Sequence, residues 1–304
     1  MRALLALAAA VAVPLNAADK PAPLTPSEIV AAAPKADWLA IAPADLLVMD
    51  LSPDAAGKPR RVMIQTMPAP FSQDWGGNIR RLARAHWWDG LSINRVQDNY
   101  VVQWGDADGE DKAKAKPLPP GLTTVPESRY LAPLPHPAPP FLPWRDVYAA
   151  HVGFTSTGWP FASDGKVWWP VHCYGAVGVG RNVSPDTGSG AELYAVIGHA
   201  PRHLDRNIAV VGRVIEGVEH LSSLPRGTGA LGFYATPGER VRIEAIRLGS
   251  EVPDLPAYEF LVPRSPSFAR YAHARANQKD DFFIQPSGGA DICNIPVPVR
   301  RKAG

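Results

Sequence analysis

The chain carries almost no net charge: 31 lysines and arginines stand against 29 aspartates and glutamates, a balance of +2 over 304 residues. That argues against the basic footprint of a nucleic-acid binder or of a protein held on an anionic membrane, and the arginine pairs beginning at Arg60 and Arg80 read as solvated positions. Beyond the apolar stretch that opens the sequence, no run approaches the roughly 20 residues that a membrane helix needs. Several chemical signatures are incomplete as well. The run VGVGRNV, containing Gly178 and Gly180, lacks the third glycine of a dinucleotide loop, and no long helix follows it. The acidic run DADGED places Gly109 too early for a calcium loop. His199 and His203 have the spacing of a helical metal pair, but Pro201 between them makes that stretch a loop. Ser184 and Ser189 sit in polar loops with no strand-turn-helix elbow around them. Neither a metal nor an organic cofactor is therefore expected, and a covalent nucleophile has no support.

Cysteine is scarce, with Cys173 and Cys293 the two present. An oxidising compartment would let them pair; equally, Cys173 would be a buried strand residue and Cys293 a free thiol of the tail. A Cα separation within about 7 Å decides between the two. What is abundant is proline and glycine, 33 and 26 residues, which points to turns and extended connections rather than helices. A hydrophobic fraction of 46% is enough for a substantial core. Residues 1–18 read as a secretory signal: Arg2, the run LLALAAAVAV and small residues near LNAA. No cysteine follows the run, so a lipid anchor is not implied. The mature chain is expected to be soluble, monomeric and exported to a bacterial periplasm.

Residues 19–45 form a proline-rich leader with one short helix, SEIVAAA, capped by Ser27 and placed outside the main domain. DLLVMDL and RRVMIQTMP, separated by Pro53, Gly57 and Pro59, predict an opening hairpin. From Phe71 to Ala85 the spacing of Ile79, Leu82 and Ala83 predicts an amphipathic helix over a barrel end. His86, Trp87 and Trp88 read as core and rim residues. SINRVQDNYVVQWGD, Ser92 to Asp106, predicts two strands joined at Gln97, Asp98 and Asn99. Arg95 then faces Gln103, and strand alternation turns Val101 and Gln103 one way and Val102 the other. Residues 107–171 are an insert that either forms a flap beside this hairpin or wraps the barrel away from it, the second being the expectation. From His172 to Gly227 the strands YGAVGVG, AELYAVIG and IAVVGRV are followed by a helix in EGVEHLSSL. Residues 251–304 are an extension in which SFARYAHARAN forms a helix, Tyr258, Phe260, Phe282 and Phe283 dock on the barrel, and VRRKAG frays.

The order of the 92–106 hairpin, an Arg, a turn, an aromatic, an apolar residue, a Gln and a closing Gly-Asp, resembles the signature hairpin of the cyclophilin peptidyl-prolyl isomerases. WWDGLSINRV resembles that family's approach to its Arg, and NIRRLARA stands where the family has a helix. PDTGSG, GAELYAV, HLDRN, AVVGRV and EGVEHL follow the family's order and spacing. The resemblance covers roughly residues 46–106 and 172–249. It implies a mainly β fold, a closed antiparallel barrel of about eight strands capped by two helices over residues 46–250. The insert and the tail stay unexplained by it.

The resemblance also implies a site. The family's catalytic Arg is retained as Arg95 and its Gln as Gln103; its groove aromatic is Tyr100 and its Met is Val101. Its Ala-Asn edge becomes Gly180 and Arg181, its second Gln becomes Glu192, and its second Phe becomes Tyr194. Its Trp becomes His203, its Leu is Leu204, and its His becomes Ile208. The implied activity is rotation about Xaa-Pro bonds in proline-containing polypeptides; the alternative is a catalytically weak module that binds proline-containing segments. By alternation Glu192 shares a face with Tyr194 and turns toward the groove, with Leu193 and Ala195 in the barrel. A carboxylate there would orient Arg95 through a charge-assisted hydrogen bond, which is the expectation, or occupy it and blunt catalysis.

Overall fold

A computed structural model of the chain describes residues 23–280 and 282–302. The signal expected at residues 1–18 lies outside the described residues. Eight strands close into an antiparallel barrel: β2 (Leu46–Leu51), β3 (Arg60–Thr66), β4 (Ser92–Val96), β5 (Val101–Gly105), β10 (Ala176–Val179), β11 (Leu193–Val196), β12 (Val210–Glu216) and β13 (Val241–Leu248). Around the barrel they run β10-β11-β5-β4-β13-β2-β3-β12. Outside it, β1 (Trp38–Ile41), β14 (Tyr258–Leu261) and β15 (Val299–Arg301) form one sheet in the order β1-β14-β15. The insert supplies β6 (Ala132–Pro133), β7 (His151–Phe154), β8 (Pro160–Ser163) and β9 (Val167–Pro170), ordered β6-β9-β8-β7. The α-helices are α1 (Pro26–Ala31), α2 (Gln73–Arg84), α3 (Glu219–Ser222) and α4 (Pro266–Asn277).

Alternation along the strands divides the apolar side chains. Val102 and Trp104 of β5, and Leu193 and Ala195 of β11, fill the barrel. Val101, Tyr194 and Val196 face outward onto Trp159, Phe161 and Trp168 of the insert. Helix α2 covers one end of the barrel with Trp75, Ile79, Leu82 and Ala83 buried along one stripe, the period of an amphipathic helix. The second expected helix is a single turn, α3, reached through Gly217. At Gly217 φ is +85, a backbone conformation that favours glycine, and a Cβ would lie 2.2 Å from the Arg61 carbonyl oxygen.

A second apolar layer joins leader, tail and insert on the barrel's outer face. Ile29, Trp38, Tyr258, Phe260, Phe268 and Tyr271 meet Phe154 and Trp169 of the insert over Leu46, Val48 and Met63 of the barrel. Several expectations for these segments change. The leader helix is capped by Thr25 rather than Ser27, because Pro26 takes the first helical position and Thr25 and Glu28 cap each other reciprocally. The 299–301 stretch does not fray: it pairs with β14, and Arg301 holds Glu216 through Nε at 2.8 Å. Tyr258 and Phe260 are buried as expected, whereas Phe282 and Phe283 face solvent. Cys173 and Cys293 are joined as a disulfide with Cα atoms 5.0 Å apart, which ties the tail to the segment entering β10. Among the described residues no helix is long and apolar enough to cross a membrane.

Candidate active site

The β4–β5 hairpin turns at Asn99, whose φ of +50 suits the left-handed tolerance of asparagine. Its register sets Arg95 opposite Gln103. Arg95 Nε donates to the Leu231 carbonyl at 2.8 Å, Nη1 donates to Gln103 Oε1 at 3.2 Å, and Nη2 donates to Gln97 Oε1. The guanidinium lies 5.7 Å from the centre of the Tyr100 ring and 5.2 Å from that of Phe233. All three acceptors are neutral, so among the described residues the charge meets no counter-ion, and burial lowers its pKa. A guanidinium has five N–H donors, and two of them stay open.

These groups line a cavity of about 940 Å³. Ten of the eleven expected residues reach it. Arg95, Tyr100, Val101 and Gln103 come from the hairpin; Gly180, Arg181, Glu192 and Tyr194 from the β10–β11 side; Leu204 and Ile208 from the loop before β12. His203 stands behind this wall, stacked on Tyr100 with ring centroids 6.5 Å apart. Arg181 is turned to the rim, where Nε and Nη2 donate to the Asn207 carbonyl at 3.0 and 2.8 Å.

Glu192 corrects the expectation placed on it. No hydrogen bond or ion pair joins it to Arg95; the Asp106 backbone N–H donates to its Oε1 at 2.7 Å, and the Gln103 and Asn94 side chains lie close enough to lower its pKa. Two glycines leave the slot it fills, since a Cβ on Gly105 would stand 2.0 Å from Glu192 Oε1 and one on Gly180 2.9 Å from its Cβ. Burial pushes the carboxyl up to about 7, against the lowering effect of those polar neighbours. Its route to Arg95 is indirect: Gln103, which accepts from Arg95, is also a neighbour of the carboxyl.

Tyr194 is held from behind. Its hydroxyl and His172 Nε2 are 2.9 Å apart, and His172 Nδ1 lies 2.9 Å from Asp205 Oδ1. Arg202 Nε donates to Asp205 Oδ2 at 2.5 Å, and its two terminal nitrogens donate to Asp146 of the insert at 3.0 and 3.2 Å. The chain from the insert to the groove wall is buried throughout. Gly178 makes the room, because a Cβ there would stand 2.2 Å from the Tyr194 hydroxyl.

Sequence reasoning missed Leu231 and Phe233. They lie in GALGFYATPG, which turn residues mark only as a loop, and a single β-bridge from Phe233 to Arg95 brings the loop to the site. The insert divides between the two arrangements weighed for it: Ala107, Glu110, Lys116 and Leu118 at its start line the cavity, while the rest wraps the barrel as expected. Glu110 Oε1 accepts from Asn182 across the rim at 3.2 Å.

With this geometry established, comparison with known proteins is specific. Residues 74–248 match the family described as cyclophilin type peptidyl-prolyl cis-trans isomerase/CLD. The solved structure of the cyclophilin AquaCyp293 from Hirschia baltica superposes with a TM-score of 0.62 at 18% identity, covering 88% of this chain and 95% of that one. A cyclophilin type peptidyl-prolyl cis-trans isomerase from Cryptosporidium parvum, solved in the presence of the dipeptide Ala-Pro, is more distant. Its TM-score is 0.41 at 11% identity, covering 67% of this chain and 98% of that one. A search of curated proteins finds no match.

Proposed function

We infer the mechanism from the premise that the chain belongs to the cyclophilin-type peptidyl-prolyl cis-trans isomerase family, matched over residues 74–248. The family's reaction breaks no bond. A prolyl amide resists rotation with a barrier of about 18–20 kcal/mol because nitrogen and carbonyl are conjugated. At the twisted geometry conjugation is lost, the nitrogen becomes pyramidal, and its lone pair becomes a hydrogen-bond acceptor. A donor aimed at that lone pair strengthens only in the transition state, which is the condition for raising the rate of the step itself.

In our reading Arg95 is that donor. The observation that carries this is its guanidinium, fixed by three neutral acceptors and two flanking rings, with two N–H groups still open beside the cavity. It stays charged at working pH and is not consumed as an acid. The proline ring sits among Val101, Tyr194, Leu204 and the edge of Tyr100, and Gln103 holds the carbonyl that stays still while the other side of the bond turns. Isomerisation of a chromogenic Xaa-Pro tetrapeptide tests this. Arg95→Ala is expected to lower kcat/KM by about 10²–10³ with binding of a proline peptide largely kept, by analogy with loss of an oxyanion-hole donor. Wild-type protein without rate enhancement, or an Arg95→Ala variant as active as wild type, would refute it.

We further propose that the clients are exported proteins. The apolar run near Arg2 and the Cys173–Cys293 bond support that setting, since disulfides persist in oxidising compartments. Fractionation of the native host decides it, with recovery in the cytoplasm counting against export.

A further inference from the structure

We propose that a second cavity, closed on the barrel by the tail, binds a small carboxylate with an apolar body, gripped by Arg213. This site is separate from the proline groove, and its argument does not depend on the isomerase reading. Arg213 projects from β12, where its neighbours in register are Gln65 of β3 and Ala176 of β10. Its Nε and Nη2 donate to Gln65 Oε1 at 3.0 and 2.8 Å, and Nη1 donates to the Gly158 carbonyl at 2.7 Å. The guanidinium lies 4.5 Å from the centre of the Trp159 ring.

None of these partners carries charge, and among the described residues no carboxylate forms an ion pair with Arg213. The contrast within the same molecule is sharp: the buried Arg202 is held between Asp146 and Asp205. Burial alone accounts for the fall of the Arg213 pKa to about 9. An enclosed cation with only neutral acceptors gains more from an incoming anion than a solvated one does, because the field is less screened. Three of its five N–H donors are engaged, which leaves one on each terminal nitrogen, enough to meet the two oxygens of one carboxylate.

The walls set the rest of the ligand. Arg213 opens into a cavity of about 300 Å³, at the lower end of small-molecule sites. Met67 and Val210 of the barrel with Trp159 and Pro170 of the insert line one side, and Ile295 and Val297 of the tail line the other. The tail wall is fixed by the Cys173–Cys293 bond, both of whose residues also line the space. Such a lining favours an aromatic or short aliphatic body over an inorganic anion, since the apolar walls contribute only when apolar surface is buried against them.

The test is calorimetric titration of the full mature chain with 4-phenylbutyrate, its neutral analogue 4-phenylbutanol, and inorganic phosphate. The carboxylate is expected to bind with one-to-one stoichiometry, at least about tenfold tighter than the alcohol, and tighter than phosphate. Arg213→Met should abolish that preference. A saturating proline tetrapeptide or the Arg95→Ala change should leave carboxylate binding intact, which separates this site from the groove. Equal affinity for acid and alcohol, displacement by the proline peptide, or loss of binding in Arg95→Ala each overturns the proposal. Should Arg213→Met fail to fold, the comparison of acid with alcohol on wild-type protein decides alone.

Discussion

Replacing Glu192 by Gln should change how stability depends on pH, and the size of the change follows from where the carboxyl sits. In the folded chain burial raises it from an ordinary 4.5 to about 7, so between those values the folded state holds a proton that the unfolded state has released. Stability therefore falls as pH rises from about 4.5 to about 7, and levels off above. At 1.36 kcal/mol for each pH unit of displacement, the loss attributable to this one group between pH 5 and pH 8 is about 2.5 kcal/mol. That is a sizeable share of the ~5–15 kcal/mol that holds a typical domain together. Gln cannot ionise, so the stability of Glu192→Gln relative to wild type should climb by about 2.5 kcal/mol over that span. The constant offset between the two proteins, which includes whatever the amide gains or loses against Gln103 and Asn94, drops out of the comparison. Urea denaturation of both proteins at several pH values measures it. Parallel profiles would refute the reasoning, because they would mean that the carboxyl ionises as it does in water.

Other outcomes follow from the same geometry. Tyr194→Phe leaves the ring in the groove but strands the buried His172 Nε2, so it should cost about 1–3 kcal/mol of stability with kcat/KM within about twofold of wild type. A tenfold loss of activity at unchanged stability would show that the hydroxyl, rather than the ring, matters to the substrate. Cys293→Ser opens a crosslink between residues separated by 120 in sequence, for which chain entropy sets a ceiling of about 5 kcal/mol. Chemical denaturation of that variant should show the loss, and reduction of wild type should reproduce it.

The barrel and most of the groove were legible because they rest on short-range patterns. Alternation in Tyr100–Trp104 and Leu193–Val196 sorted inside from outside correctly, and the turn at Gln97–Asn99 set Arg95 against Gln103. What escaped was set by contacts distant in sequence. Nothing local reveals that Glu192 meets the Asp106 backbone, since that depends on a slot left by Gly105 and Gly180. Nor does GALGFYATPG announce that its Leu231 carbonyl will anchor a guanidinium 136 residues away. The tail misled for a related reason. Val299–Arg301 carries charge and lies near the C-terminus, yet an unpaired edge of β14 and the carboxylates of Glu216 and Glu259 hold it in place.

The sheet β1-β14-β15 bears on the order of events during synthesis. Its middle strand needs one neighbour made early and another made late, so the outer layer cannot be completed while the ribosome still holds the final strand. All eight barrel strands have emerged well before that moment. The single possible cysteine pairing gives this late docking a fastener with no wrong partner to choose, so joining of the two sulfurs reports that the tail has arrived.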